Sequence, residues 1–421
     1  MAGDEVSPGD SMPKRFAGAS IPWSAGPAIV KSAGGAHAVG GGTKRRRLAT
    51  PALTSASARA NSGMVRPDEP GRPEASFVAA PRKGGSMKKV VWGVLGTAKI
   101  GRERVLPGMQ KSPLLEIRAI ASRDAARARA TADALGIAQA YGSYEALLAD
   151  PAIEAIYNPL PNHLHVALTL QAAVAGKHVL CEKPIALTAA EATRLRAAAG
   201  KVLIAEAFMV RFHPQWLRAR ELVREGRIGT LRVVQMFFGY NNLDPANVRN
   251  RADIGGGGLY DIGCYAIVAG RFFLEAEPVR GIALVDRDPA FRTDRLTSAL
   301  VDFGDGRRLD FTVSTQIAPH QRIHLCGTRG RIEIPIPVNA PQGAKTRISI
   351  DDCSSLEGTG IVTETLPGSD QYMLQGEAFS RAVRGELALP YGIEDAIANM
   401  HAIDALFRSE QSGRWEAVAA A

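Results

Sequence analysis

The sequence lacks any run of about eighteen consecutive apolar residues, so no segment reads as a membrane-spanning helix. Cysteine is scarce: Cys181, Cys264, Cys326 and Cys353 are scattered, with no C-x-x-C pair. That spacing argues against a structural zinc site or a disulfide framework, no metal is expected, and a reducing cytoplasm is the default location. Residues 1–86 also lack any hydrophobic period, being rich in Gly, Ala, Ser and Pro, and such a composition cannot bury a core. A disordered basic tail is expected there.

That tail carries twelve basic and six acidic side chains, so it holds six of the chain's nine net positive charges. The high isoelectric point is therefore mostly a property of the tail, and nucleic acid is not the expected partner of the remainder. The densest basic run, TKRRRLAT at 43–50, is not followed by the apolar stretch that an export signal of the twin-arginine type requires. Met87, directly before KKVVWGVLG, is a natural alternative start.

What is present begins at residue 89. KVVWGVLG is a short β-rich run ending in glycine, and TAKIGRERVLPGMQ opens a helix. A strand, a tight glycine turn and a helix N-terminus aim backbone N–H groups at a pyrophosphate. Gly96, Thr97, Ala98, Lys99, Ile100 and Gly101 form this turn, a G-x-G-x-x-G pattern with alanine at its second glycine. The next strand, within LLEIRAIASRD at 114–124, ends in Ala121-Ser122-Arg123 where an NAD-preferring site would carry an acid. A hydroxyl and a guanidinium suit a 2′-phosphate, so Ser122 and Arg123 point to NADP, with NAD as the alternative.

The alternation continues with helices expected over 124–135, 143–149 and 164–175, and with the strands AIEAIYN and KHVLC. This predicts a doubly wound parallel sheet whose ligands lie at the carboxyl ends of its strands, where PLPNHLH and CEKP fall. From about 206 the pattern changes to a helix at 214–225 and β-rich runs: LRVVQMFFGY, PVRGIALVDRD, LTSALVDFGDGRRLDFTVSTQ and RIHLCGTRGRIEIP. These read as a large, mostly antiparallel sheet with a tight Gly-Asp-Gly turn at 304–306. The expected fold is α/β: a nucleotide-binding domain over 87–205, an α+β substrate and oligomerisation domain over 206–390, and a helix over 391–412 returning to the first domain.

In this order, GTAKIG at 96–101, PNHLH at 161–165, GKHVLCEKP at 176–184, EAFMVRFHPQ at 206–215 and GGGGLYDIGCY at 255–265 resemble one family. It is that of the glucose-fructose oxidoreductase, inositol dehydrogenase and MocA oxidoreductases, and the resemblance spans about 88–412. It implies a Rossmann-like domain and hydride transfer between nicotinamide C4 and a hydroxyl-bearing carbon of a sugar, polyol or cyclic diol. It also implies a homodimer or homotetramer formed through the second sheet.

Lys183 is expected to orient the substrate hydroxyl, with a pKa lowered by an oxidised nicotinamide beside it. Glu182 would balance its charge and Pro184 would fix the chain direction. Tyr265 stands where many relatives have histidine, as in the branch with D-xylose dehydrogenase and dimeric dihydrodiol dehydrogenase, and there tyrosine is the proposed acid/base. A phenol serves as base near neutral pH only if a cation such as Lys183 stabilises the phenolate, so the two motifs need one another. Asp261, four residues before Tyr265, is expected on the same helix face, positioning the pair.

By the same resemblance Leu160, Asn162, His165, Glu182 and Lys183 touch the cofactor, and Phe208, Arg211, Arg249 and Tyr265 line the substrate site. His213, before Pro214, reads as a loop-fixing residue. The other class of function the resemblance admits is a nucleotide-binding regulator without turnover.

Overall fold

The computed structural model describes residues 88–420. The expected tail over 1–86 and the alternative start at Met87 lie outside the described residues. Six short strands come first: β1 (Val90–Leu95), β2 (Leu115–Ala121), β3 (Gln139–Tyr141), β4 (Ala155–Asn158), β5 (His178–Cys181) and β6 (Ile204–Glu206). They pair in parallel in the order β3-β2-β1-β4-β5-β6. All six residues of β1, VVWGVL, are buried, as expected of a central strand covered on both faces. The strand order reverses between β1 and β4, which places a crevice at the carboxyl ends of these two strands.

The connecting helices start where side chains can accept their free amides. Asp124 accepts from the Arg127 N–H at 3.0 Å ahead of helix Ala125–Leu135, and Ser143 accepts from Ala146 at 3.1 Å ahead of Tyr144–Leu148. On one face Trp92 packs on Phe379 of helix Gln371–Val383, ring centroids 5.3 Å apart, and donates its indole N–H to Ser380.

The second sheet has nine strands: β7 (Leu231–Asn241), β8 (Arg280–Arg287), β9 (Asp294–Asp302), β10 (Arg308–Ser314), β11 (Gln316–Gly327), β12 (Arg331–Ile334), β13 (Thr346–Asp351), β14 (Ile361–Leu366) and β15 (Glu416–Ala417). Their order is β14-β13-β12-β11-β7-β10-β9-β8-β15, and every pairing is antiparallel except that of β7 with β10. The expected fold class is therefore borne out. Gly304, Asp305 and Gly306, all at positive φ, make the turn between β9 and β10. The inner face of the sheet, with Val301, Leu309, Phe311 and Val313, is covered by helix Cys264–Leu274, every residue of which is buried.

The outer face leaves Leu284, Leu296 and Leu300 exposed. Helix Ile393–Ser412 bonds to both halves of the described chain. Its Asp404 accepts from the Ala189 N–H at 2.9 Å, just past the CEKP turn, and its Ser409 hydroxyl accepts from Ala283 of β8 at 3.0 Å.

Candidate functional site

At the end of β1 the backbone turns at Gly96, whose φ is +86° and whose N–H donates to Ala121 O. A side chain there would be strained and would meet Leu160, since a Cβ would sit 2.7 Å from Leu160 Cδ2. The amides of Thr97, Ala98 and Lys99 follow, opening the helical stretch that runs on through Gly101–Val105. At the end of β2, Ser122 is buried and Arg123 exposed, close to the Tyr144 hydroxyl. The nearest acid, Asp124, spends its carboxylate on the Arg127 amide, and Arg127 also bears on Tyr144.

The glycine turn and the CEKP turn are joined through His165. This ring is fully buried, with Nδ1 2.7 Å from Pro184 O and Nε2 2.6 Å from Leu160 O. Burial pushes its pKa down to about 4 against the pull of the two carbonyls, so near neutral pH it carries one ring proton and donates to one of them. The expectation of a direct cofactor contact is corrected here, because no atom of the ring reaches the surface. Its place is beneath the two turns, holding Leu160 and Pro184 together. Asn162 donates to Gly255 O at 2.8 Å and ties the PNHLH turn to the glycine loop.

Lys183 follows β5, its side chain only 11% exposed. Its ammonium donates to the Asp261 backbone carbonyl and, at 3.1 Å, to Asp261 Oδ1. The other carboxylate oxygen, Oδ2, accepts from Tyr240 Oη at 2.7 Å and from Arg249 Nε at 2.8 Å. Three donors thus converge on one buried carboxylate. Burial raises the Asp261 pKa, but Arg249 and Lys183 outweigh it and hold the group far below the usual carboxylate range.

For Lys183 the protein's own groups set a similar balance. Burial lowers its pKa, yet Asp261 beside it leaves the value above that of free lysine. Its direct ion-pair partner is Asp261 and not Glu182. Glu182 instead accepts from the Tyr157 hydroxyl at 2.7 Å, and burial pushes its pKa up.

Asp261 and Tyr265 flank the lysine, though not through a regular i, i+4 spacing. Leu259–Gly263 is a π-helical turn, after which Cys264–Leu274 continues as α-helix. Lys183 Nζ lies 4.9 Å from the centroid of the Tyr265 ring, over its face. The tyrosine hydroxyl donates to Met209 Sδ at 3.3 Å. Burial foremost, then Glu182 and Cys264, raise its pKa well above that of free tyrosine. In this geometry the ammonium meets the face of the ring, and the phenol hydroxyl is bonded to sulfur.

Two residues expected at the substrate are enclosed elsewhere. Arg211 is 3% exposed, pairs with Asp395 Oδ2 at 2.5 Å and lies over Tyr391 at 4.2 Å. Phe208 is 1% exposed and stands edge-on to Tyr265 with centroids 5.2 Å apart, so it backs the tyrosine. In this geometry both side chains are packed against protein and neither presents more than 3% of its surface. Arg249, at 40% exposure, keeps a free edge. His213 caps helix Pro214–Arg224 by accepting from the Gln215 N–H at 3.1 Å. Tyr240 and Tyr157 were not anticipated, because nothing in the strand pattern around either marks a side chain that reaches a carboxylate. Among the described residues, no group of three His, Cys, Asp or Glu is placed to hold a metal ion.

Residues 90–203 match the oxidoreductase family with an NAD-binding Rossmann fold, and 216–333 match the C-terminal domain of the same GFO/IDH/MocA group. The chain belongs to the GFO/IDH/MocA oxidoreductase family. Within the family it is 46% identical to the uncharacterized oxidoreductase ORF334 of Rhizobium meliloti over 79% of this chain and 100% of the relative. It is 38% identical to D-xylose 1-dehydrogenase (NADP(+)) 2 of Haloferax volcanii, over 77% and 98%. Among solved structures, the 3-ketoreductase KijD10 of Actinomadura kijaniata with NADP and TDP-benzene aligns at a TM-score of 0.72 and 30% identity, covering 76% of this chain and 98% of that one. The nucleotide of such a family fits the residues at hand. The Gly96 turn leaves no room for a side chain, the amides after it open a helix, and the Leu160-His165-Pro184 link makes that cradle continuous with the lysine turn.

Proposed function

We propose that this chain is an NADP-preferring dehydrogenase/reductase acting between a hydroxyl-bearing carbon of a sugar, polyol or cyclic diol and the corresponding ketone or lactone. The observation that carries the reading is the Lys183 ammonium, buried at the end of β5, gripped by Asp261 and lying over the ring of Tyr265. When bound, the nicotinamide supplies or accepts the hydride at C4. Lys183 hydrogen-bonds the substrate oxygen and stabilises the negative charge that develops on it. Tyr265 backs that site and, once its hydroxyl turns from Met209, exchanges the proton of the substrate oxygen. Asp261 fixes the lysine, and Arg249 offers its free edge to a further hydroxyl of the substrate.

The NADP preference rests on Ser122, on the exposed Arg123 and on an Asp124 already engaged as a helix cap. It agrees with the NADP named for the Haloferax volcanii relative and for KijD10. The remaining cofactor contacts in this reading come from Gly96, Thr97, Ala98, Lys99, Ile100, Leu160, Asn162 and Glu182. The outer face of the second sheet, with Leu284 at 79% and Leu300 at 47% exposure, is read as a surface for self-association. A sedimentation profile of a monomer at micromolar concentration would exclude this.

The test of function is absorbance at 340 nm with NADP and then NAD over aldoses, inositols and trans-diols. Turnover with NADP on one of these classes, and its loss in Lys183→Met at nearly unchanged cofactor affinity, is the expected result. Equal loss of turnover and cofactor binding in that variant contradicts the role given to the lysine.

A further inference from the structure

The segment EAFMVRFHPQ leaves two charged side chains that the reaction does not use. Glu206 ends β6, is 6% exposed, and accepts through Oε1 from the Ile185 N–H at 2.8 Å, two residues beyond Lys183. Arg211 is spent on Asp395 and Tyr391 through the end of its guanidinium. Glu206 Oε2 and Arg211 Nε are both buried without a hydrogen-bond partner. A buried polar group left unsatisfied in this way is destabilising. Both residues line one cavity of about 20 Å³, walled by Leu180, Phe208, Phe379, Leu389 and Tyr391. A single water needs roughly 10–15 Å³, so the space can hold one.

We propose that this cavity is the site of one resident water bridging Arg211 Nε to Glu206 Oε2, and that Glu206, held in this way, is a positioning residue for the turn that carries Lys183. The water accepts from the guanidinium N–H. It donates to Oε2 when the carboxyl is ionised and accepts from it when the carboxyl is protonated, so one molecule satisfies either state. Burial first, then Asp395, pushes the Glu206 pKa up to about 8, while the Ile185 amide, Arg211 and Arg271 pull it down. The thiols of Cys181 and Cys264 are the other titratable groups that feel this carboxyl, and both stay protonated because burial raises their own pKa values. Glu206 thus changes charge just above neutral pH, against the amide that fixes the lysine turn.

The positioning role rests on the function proposed above, whereas the water does not, and the tests separate them. A crystal structure of the wild type that shows ordered solvent should contain one peak within about 3.2 Å of both atoms. No peak there, or one that reaches only one of the two atoms, overturns the water site whatever the activity. Glu206→Gln keeps the acceptor for Ile185 but cannot ionise. Its kcat profile should lose an inflection near pH 8 that the wild type shows.

Glu206→Ala removes the acceptor as well, and kcat should fall at least tenfold with the cofactor KM changed less than threefold, as misplacement of a catalytic group can cost about a hundredfold. A glutamine variant with the wild-type pH profile, or an alanine variant with wild-type kcat, overturns the positioning role. If the alanine variant does not fold, the glutamine profile decides.

Discussion

Replacing Asp261 by asparagine tests the centre of the site. The substitution keeps shape and one acceptor oxygen, but three donors presently share two oxygens: Lys183 on Oδ1, and Tyr240 with Arg249 on Oδ2. Asparagine must turn its amide N–H₂ toward one side, setting donor against donor either at the lysine or at the Tyr240 and Arg249 pair. Asp261 and Lys183 are 14% and 11% exposed, so solvent screens this pair little.

Removing one partner of a buried pair costs about 3–5 kcal/mol, mostly because the other charge is left uncompensated. For a chain of this size that corresponds to a fall in Tm of roughly 4–7 °C. The Lys183 pKa, now held up by Asp261, should drop as burial is left unopposed. Urea unfolding at neutral pH checks the first consequence, and the pH dependence of ketone reduction by wild type and variant checks the second. The variant should lose rate at a lower pH than the wild type, and its kcat should be about a hundredfold lower. Wild-type stability together with an unmoved pH profile would refute the argument that this carboxylate holds the lysine in place and charged.

Gly96→Ala should weaken cofactor binding more than folding, since it forces a side chain to φ +86° with its Cβ 2.7 Å from Leu160 Cδ2; quenching of protein fluorescence by NADPH would measure this. Because Tyr265 and Lys183 both have raised pKa values, the oxidising direction, which must release a proton from the site, should speed up from pH 7 to 10 while reduction slows; initial rates in both directions check the sign. Arg384 holds the Glu154 carboxyl at a pKa of about 2, so that pair contributes stability above the unfolded value near 4.5 and loses it as pH falls toward 2. Arg384→Met should therefore be less stable at pH 7 and lose less between pH 4.5 and 2, as read by urea unfolding across that range.

What could be read in advance was what is carried by backbone and by pattern. The VVWGVL run, the glycine after it and the strand-helix alternation gave the parallel sheet and its crevice, because buried parallel strands are continuous apolar runs and helix starts need side-chain acceptors. Strands β13 and β14, the last two of the sheet on this side, escaped because TRISID and IVTETL mix charge into their alternation.

The site was legible as a set of residues, but not in the partners that several of them take. Arg211 resembles a substrate donor in sequence, since nothing local shows that Asp395, 184 residues away, will consume it. The same holds for Tyr240, whose claim on Asp261 comes from a strand of the other sheet. Asp261 and Tyr265 were placed by an α-helical spacing, but the chain makes a π turn over Leu259–Gly263, immediately after four glycines that pass close to Arg249, Arg251 and Asp294. That turn brings the backbone carbonyl of Asp261 to Lys183 together with its carboxylate, and this pairing favours the charged lysine. The proposed reaction depends on that proton. Its control therefore lies in the long-range pairing of Lys183 with Asp261, Arg249 and Tyr240, which no stretch of sequence contains by itself.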